Sequence, residues 1–306
     1  MAFNNAYAAL RPSSSDSSIT LGLMTPLDPE LGRGEMVPPE NSVALAQLAE
    51  QLGFSGLWVR DVPLAIPQGV TTAQKQATFL DDPFLMLGAM AAATSTIALG
   101  TAATVLPLRH PLHVAKSALT LDRLSRGRFV LGIGSGDRPE EFELFGKSLD
   151  NRRADIQEGW DILRAALSPE AVDRESLSYA PTTPPSAQIP MIVVGSARQT
   201  VQWIARNADG WATYYRPEQQ QVGRLDLWDK ARDDSNPLLI SSMGLQLTET
   251  SARREITLGV EVGSEELVEH LHRLSALGID HVIFNIQGRP ASEVLHQINE
   301  DVLPHL

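Results

Sequence analysis

Apolar and polar positions along this chain follow two alternating patterns. Short β-branched runs recur, and each is followed by a stretch with helical spacing of its apolar residues, the alternation that builds a parallel sheet with crossover helices. Eight runs read as strands: Ile19–Met24, Gly56–Arg60, Ile97–Thr101, Arg128–Ile133, Met191–Gly195, Gly210–Tyr214, Leu238–Met243 and His281–Ile286. Leu238–Met243 carries the weakest pattern of the eight. Helices are predicted over Pro39–Leu52, closed by Gly53, and over Ser264–Leu277, closed by Gly278, with glycine supplying the left-handed cap in both. Leu267 follows Ser264 where a capping box would need Glu, so Ser264 is expected to cap alone, beside the acidic first turn of Glu265 and Glu266.

Eight strand–helix units predict a (β/α)8 TIM barrel, and the 306 residues fit one such barrel, which needs ~250 residues plus insertions. No internal repeat or composition break marks a second domain, so residues 19–306 read as a single domain. Residues 1–18, ending in the Ser/Asp-rich stretch Arg11–Ser18, read as a flexible arm. Val62–Asp82, Asp137–Asp150 and the Pro-rich Ser168–Pro190 are too long for tight turns and are expected to be functional insertion loops at the C-terminal face.

Composition narrows the function. A hydrophobic share of 43% with 20% charged residues is that of a compact globular protein. A net charge of −12 offers no basic face for nucleic acid and points to small-molecule partners. With no cysteine, thiolate nucleophiles and cysteine metal sites are excluded, and any redox chemistry must come from a cofactor. The first eighteen residues lack a signal-peptide pattern, and no run reaches the ~18 apolar residues of a membrane span, so no membrane association and a cytoplasmic location are expected.

Three turns could carry chemistry. Arg128–Asp137 runs a strand straight into Gly134-Ser135-Gly136, a turn that lets backbone amides approach an anion or a flat ring or else is a plain tight turn; Asp137 breaks the dinucleotide fingerprint. Gly195-Ser-Ala-Arg-Gln-Thr200 leads into a helix and reads equally as a phosphate site or as a serine cap. Leu99–Pro111 leaves a strand end with small residues beside which a planar ring could lie. His110 and His113 near its end could be proton donors but read better as structural. His110, His113, Glu140, Glu141 and Glu143 show no spacing of a metal site, and the acidic run reads as a solvated helix start.

Gly100–Pro111, Leu121–Phe129, Phe142–Gly146 and Asn151–Ala154 together resemble, in order and spacing, the flavin-dependent luciferase-like monooxygenases, which include the bacterial luciferase subunits. Gly195-Ser196-Ala197, Ala208–Trp211 and Leu277–Ile283 extend the resemblance over most of residues 19–304; it is weakest from about Pro217 to Thr257. The resemblance implies an FMN whose ring rests near Ala102 and Ala103, a pair that in relatives can carry a non-proline cis peptide. It places the phosphate near Ser135, Gly136, Gly195 and Ser196, with Gln199 as a further donor. Met24, Trp211 and Tyr215 would line the substrate pocket, with Leu23 and Trp58 better explained as barrel core.

Two departures stand out. Where luciferase has a catalytic histidine after the second strand, this chain has Arg60 and Asp61, which become the candidate catalytic residues, and the light reaction is not implied. The cationic phosphate grip is replaced by Ser135, with Arg138 or Arg198 as substitutes. The leading expectation is a two-component monooxygenase that takes reduced FMN from a separate flavin reductase, since no nicotinamide fingerprint is present, and uses O2 on a small organic substrate. The alternatives are a deazaflavin-dependent hydride-transfer enzyme and a flavin-binding barrel without turnover. A sugar-phosphate isomerase would need a Lys or Glu base at a strand end, and none is placed there. Relatives pair as homodimers through early helices, a role that suits the apolar Phe84–Met90 stretch.

Overall fold

A computed structural model describes residues 3–12, 19–26, 36–65, 80–168, 187–232, 236–250 and 252–306. The strands are β1 (Thr20–Thr25), β2 (Gly56–Val59), β3 (Ala98–Thr101), β4 (Thr104–Val105), β5 (Phe129–Gly134), β6 (Met191–Val194), β7 (Gly210–Tyr214), β8 (Leu238–Leu247), β9 (Arg254–Ile256), β10 (Gly259–Val262) and β11 (His281–Ile286). The helices are α1 (Asn5–Ala9), α2 (Pro39–Gln51), α3 (Pro83–Ala93), α4 (Pro111–Leu124), α5 (Pro139–Leu144), α6 (Arg152–Leu167), α7 (Val201–Asn207), α8 (Glu218–Ala231), α9 (Ser264–Ala276) and α10 (Ala291–Asp301).

Parallel pairing runs β1-β2-β3-β5-β6-β7-β8-β11, and β11 returns to β1, which closes an eight-stranded barrel. All eight strands read from the sequence are present. The weakest of them, β8, is the longest, because its second half carries β10 and the antiparallel β9 beyond the barrel wall.

Strand alternation divides the core in two. Leu21, Leu23, Leu57 and Leu131 point outward to the helices, whereas Met24, Trp58, Val130, Ile192, Ala212, Ile240 and Ile283 fill the barrel. Low in the barrel Trp58 Nε1 donates to Nε2 of His281 at 3.1 Å, and His281 Nδ1 meets Thr20 Oγ1 at 2.8 Å. Room for this pair comes from glycine: a Cβ on Gly22 would lie 2.4 Å from the imidazole, and one on Gly100 would lie 2.4 Å from the indole.

Three expectations are corrected. Residues 3–12 are not a loose arm: α1 closes the N-terminal end of the barrel, with Ala6 and Leu10 packed in the interior and Asn4 bonded to Asp122 and to the Phe129 carbonyl. Ser264 does not cap α9; Gly263 is the cap, and the Ser264 hydroxyl bonds Asp301 and Gln297 of α10 instead. Asp137–Asp150 is not all loop but holds α5. Glycine closure holds for both helices, at φ +84° for Gly53 and +85° for Gly278. Residues 66–79 of one long insertion and 169–186 of another, and residues 13–18 of the arm, lie outside the described residues.

Candidate active site

The site begins with an interruption in the third barrel strand. β3 and β4 both pair with β5, and between them the Ala102–Ala103 peptide is cis. Register advances from Gly100 opposite Val130 to Thr104 opposite Ile133, so three residues on one side face two on the other. The hydroxyl of Thr101 fills the gap in the ladder, donating to the Gly132 carbonyl at 2.8 Å and accepting from its amide at 3.0 Å. Opposite, Gly134 leaves open space: a Cβ there would lie 2.9 Å from Cβ of Ala103.

Above this floor, at the C-terminal ends of the strands, opens a cavity of about 610 Å³. Its wall brings together Met24, Arg60, Asp61, Ala102 and Ala103 with Ser135, Gly136, Gly195 and Ser196, nine positions drawn from five separate barrel strands or the turns that follow them. Both turns are glycine-dependent, with φ +70° at Gly136 and +68° at Gly195; Ala197 and Arg198 follow in the left-handed region at +43° and +61°. The second turn does not itself cap α7, since Thr200 takes that place and accepts from the Trp203 amide.

Other expected residues lie elsewhere. The amide of Gln199 is consumed by Arg153, Ala197 and Gln157 and does not face the cavity. Trp211 points out of the barrel, donating to the Gly195 carbonyl at 2.6 Å with Arg224 4.6 Å from its ring centre. Tyr215 is buried outside the wall, its hydroxyl on Glu255 and its ring edge-on to His270. Trp211 and Tyr215 are therefore corrected as pocket residues: on these strands odd-numbered positions face the helices. His110 caps α4 and touches His113, and neither lines the cavity.

The charges differ in their commitments. Both oxygens of Asp61 are taken, in a two-point contact with Arg109 at 2.8 Å and by the Val105 amide at 3.0 Å, so this carboxylate holds the strand end. Arg109 also reaches Asp82, and these partners raise its guanidinium further against the cost of burial. Arg60 has no hydrogen-bonded or ion-paired partner among the described residues, and its Nε is buried without an acceptor. Burial, and then the nearby Arg138, holds its guanidinium below the ordinary value.

Sequence reasoning missed several residues of the wall, among them two charged ones. Arg152, inside the Asn151–Ala154 motif, donates to the carbonyls of Gly136 and Leu149 and so fixes the first turn. Glu141, read as part of a solvated helix start, is buried 3.6 Å from Arg138, and burial pushes its carboxyl up. A six-residue helix is too short to show which side faces inward. The cavity therefore gathers Arg60, Arg138, Arg152 and Arg198 in a chain whose net charge is −12.

Residues 19–297 match the family model of the luciferase-like monooxygenases. The chain belongs to this family. An uncharacterised protein of Mycobacterium tuberculosis is 30% identical over 271 residues, 82% of this chain and 88% of that one. The alkanal monooxygenase alpha chain of the Kryptophanaron alfredi symbiont is 27% identical over 216 residues, covering 68% of this chain and 57% of its own.

Among solved structures, a monooxygenase from Streptomyces bottropensis superposes with a TM-score of 0.73 at 20% identity, covering 94% of this chain and 99% of that one. A coenzyme F420-dependent secondary alcohol dehydrogenase in complex with an F420–acetone adduct gives 0.73 at 15% identity, with 94% and 98% covered. The oxygenating constituent of 3,6-diketocamphane monooxygenase from Pseudomonas putida, in complex with FMN, gives 0.68 at 15% identity, also with 94% and 98% covered. At these identities the structures speak for a shared (β/α)8 barrel. No helix among the described residues is long and apolar enough to cross a membrane.

Proposed function

We propose that this luciferase-like enzyme is a flavin-dependent oxidoreductase, working as a two-component monooxygenase with reduced FMN and O2 on a small organic substrate. The carrying observation is the cavity itself: a floor of Ala102, Ala103 and Gly134 with no side chain beyond Cβ, next to two glycine turns and a group of arginines. A flat ring fits such a floor, and a phosphate fits hydroxyls and guanidinium groups at its edge. Ser135, Ser196, Arg152 and Arg198 would hold the phosphate, with Gly136 and Gly195 shaping the turns and Ala102 and Ala103 supporting the ring. When bound, reduced flavin would supply two of the four electrons that reduce O2, with the substrate giving the other two as it takes one oxygen atom and the second oxygen leaving as water.

The chain's own contribution is shelter and orientation. Met24, Val105 and Leu149 give the cavity apolar walls that exclude water, and Glu141, with its raised carboxyl, can hold a proton beside it. Asp61 positions the strand end and does not act on the substrate. The reading favours FMN because an alkanal monooxygenase is a sequence relative at 27% identity, whereas the F420-dependent neighbour is alike in fold. Pairing into a homodimer would use the α3 face, where Leu85 is 78% exposed.

Titration with oxidised FMN, reduced FMN, riboflavin and the deazaflavin coenzyme tests this directly. Tighter binding of reduced FMN than of the others is expected, with Arg198→Ala lowering FMN affinity while leaving riboflavin affinity unchanged. Preference for the deazaflavin coenzyme would move the reaction to hydride transfer. Binding of none of them would remove the cofactor site.

A further inference from the structure

We infer that Arg60 is the docking point for a carboxylate on the substrate, so that the cavity takes a small apolar molecule bearing an acid group. The inference rests on the flavin reading above for what occupies the rest of the cavity.

Arg60 directly follows β2, between Met24 at the end of β1 and Ala102 at the interruption after β3. Arg60 lines the cavity, its Nε is buried without an acceptor, and among the described residues its side chain makes no hydrogen bond or ion pair. A largely buried charge without a counter-ion is expensive, and a fold keeps one where a ligand completes it. Of the acids nearby, Asp61 is taken by Arg109 and the Val105 amide, and Glu141 faces Arg138 at 3.6 Å. Arg138 adds positive potential at the same place, and the cavity's remaining carboxylate, Asp137, is an electrostatic neighbour of Glu141, Arg152 and Tyr214 rather than of Arg60.

The cofactor phosphate does not account for this charge. Ser196 and Arg198 follow β6, three strands round the barrel from β2, and the electrostatic neighbours of Arg152 are Arg198, Asp137 and Asp150 rather than Arg60. Two separate anion positions follow, one at the β5–β6 edge and one at Arg60. Next to Arg60 the wall is apolar, formed by Met24, Val62 and Ala102, which suits the body of the molecule. The planar fork of a guanidinium matches the two oxygens of a carboxylate.

The test compares carboxylates with their neutral amides of the same shape, benzoate against benzamide and hexanoate against hexanamide, titrated into FMN-loaded protein and followed by the flavin difference spectrum. The wild type should bind each acid at least about ten-fold tighter than its amide, or ~1.4 kcal/mol. Arg60→Met should erase that preference and Arg60→Lys keep part of it, with FMN affinity changing less than about two-fold in both. Arg60→Gln serves as a second neutral variant, and circular dichroism checks that each one folds. Equal binding of acids and amides by the wild type, or a preference that survives Arg60→Met, overturns the assignment. So does a loss of FMN affinity in Arg60→Met, which would give this arginine to the cofactor. If the wild type binds neither FMN nor the deazaflavin coenzyme, the flavin reading fails by itself. The same titration on unloaded protein, read by tryptophan fluorescence, still decides Arg60.

Discussion

The hydroxyl of Thr101 takes the place of a strand for Gly132, meeting its carbonyl at 2.8 Å and its amide at 3.0 Å, while Thr104 Oγ1 adds a third bond at 3.1 Å. One hydroxyl donates once and accepts twice, so its capacity is used in full. Thr101→Val would leave three buried polar groups without this partner, and a loss of roughly 3 kcal/mol in urea unfolding is expected. Gly132→Ala should cost at least as much, since a Cβ would lie 1.8 Å from the Thr101 carbonyl oxygen, and backbone would have to move. A tolerated alanine at 132 would contradict this packing.

Asp61 and Arg109 predict a different phenotype. Their two-point contact ties the end of β2 to the segment before α4, with the Asp61 side chain 2% exposed. Asp61→Asn keeps the volume but weakens the pair and should lower stability by about 2–3 kcal/mol. If Asp61 only positions the strand end, its variant with cofactor bound should show raised KM with the pH profile of kcat unchanged. A shifted kcat profile would instead make Asp61 a proton carrier.

Much of this architecture was legible because strand alternation and glycine caps are local signals, and the eight barrel strands and both helix closures followed from them. The site was readable where it depended on backbone freedom, as at Gly136 and Gly195. It was not readable where it depended on facing: Trp211 and Tyr215 stand one residue out of phase with Tyr214, which does line the cavity. Partnership was equally hidden. The motif Leu121–Phe129 serves structure, since buried Arg128 donates to Ser125, Ile97, Thr94 and Ala91 and so joins α3, β3 and β5. The sequence cannot tell this saturated arginine from the unpartnered Arg60.

Acid should destabilise the fold through two histidines. Burial holds His281 at about 3, and burial with Arg253 and Arg273 holds His270 at about 3. Unfolded imidazoles take a proton near 6.5, so between that pH and about 3 the unfolded state binds more protons. Stability should be flat with respect to these groups above pH 6.5 and fall below it, by up to ~1.4 kcal/mol per pH unit for each histidine. Nε2 of His281 already accepts the Trp58 indole hydrogen and has no place for its own. Urea midpoints measured from pH 7.5 to 4.5 should therefore drop less steeply for His281→Gln than for the wild type. Parallel curves would show that His281 is not buried in the neutral form.

At the end of the barrel far from the cavity, the N-terminal segment closes the interior. Leu10 and Ala6 are fully buried beneath the strand starts, Thr20 Oγ1 donates to the Leu10 carbonyl at 2.9 Å, and Asn4 bonds Asp122 at 2.7 Å and the Phe129 carbonyl at 2.8 Å. Deleting residues 2–12 would open the interior to water and strand Asp122, whose carboxyl burial already pushes up and only the Asn4 bond and the backbone of Phe129 pull down. Apolar burial of about 2–3 kcal/mol and hydrogen bonds of ~1 kcal/mol each put the loss near 4–6 kcal/mol, which for a domain of this size lowers Tm by on the order of 10 °C. Because α1 contacts the strand starts and the cavity sits at their ends, FMN affinity below the new melting temperature should stay within about two-fold. A deletion that leaves Tm unchanged would return the segment to the role of a loose arm, and one that abolishes FMN binding in a folded barrel would mean the two ends are coupled.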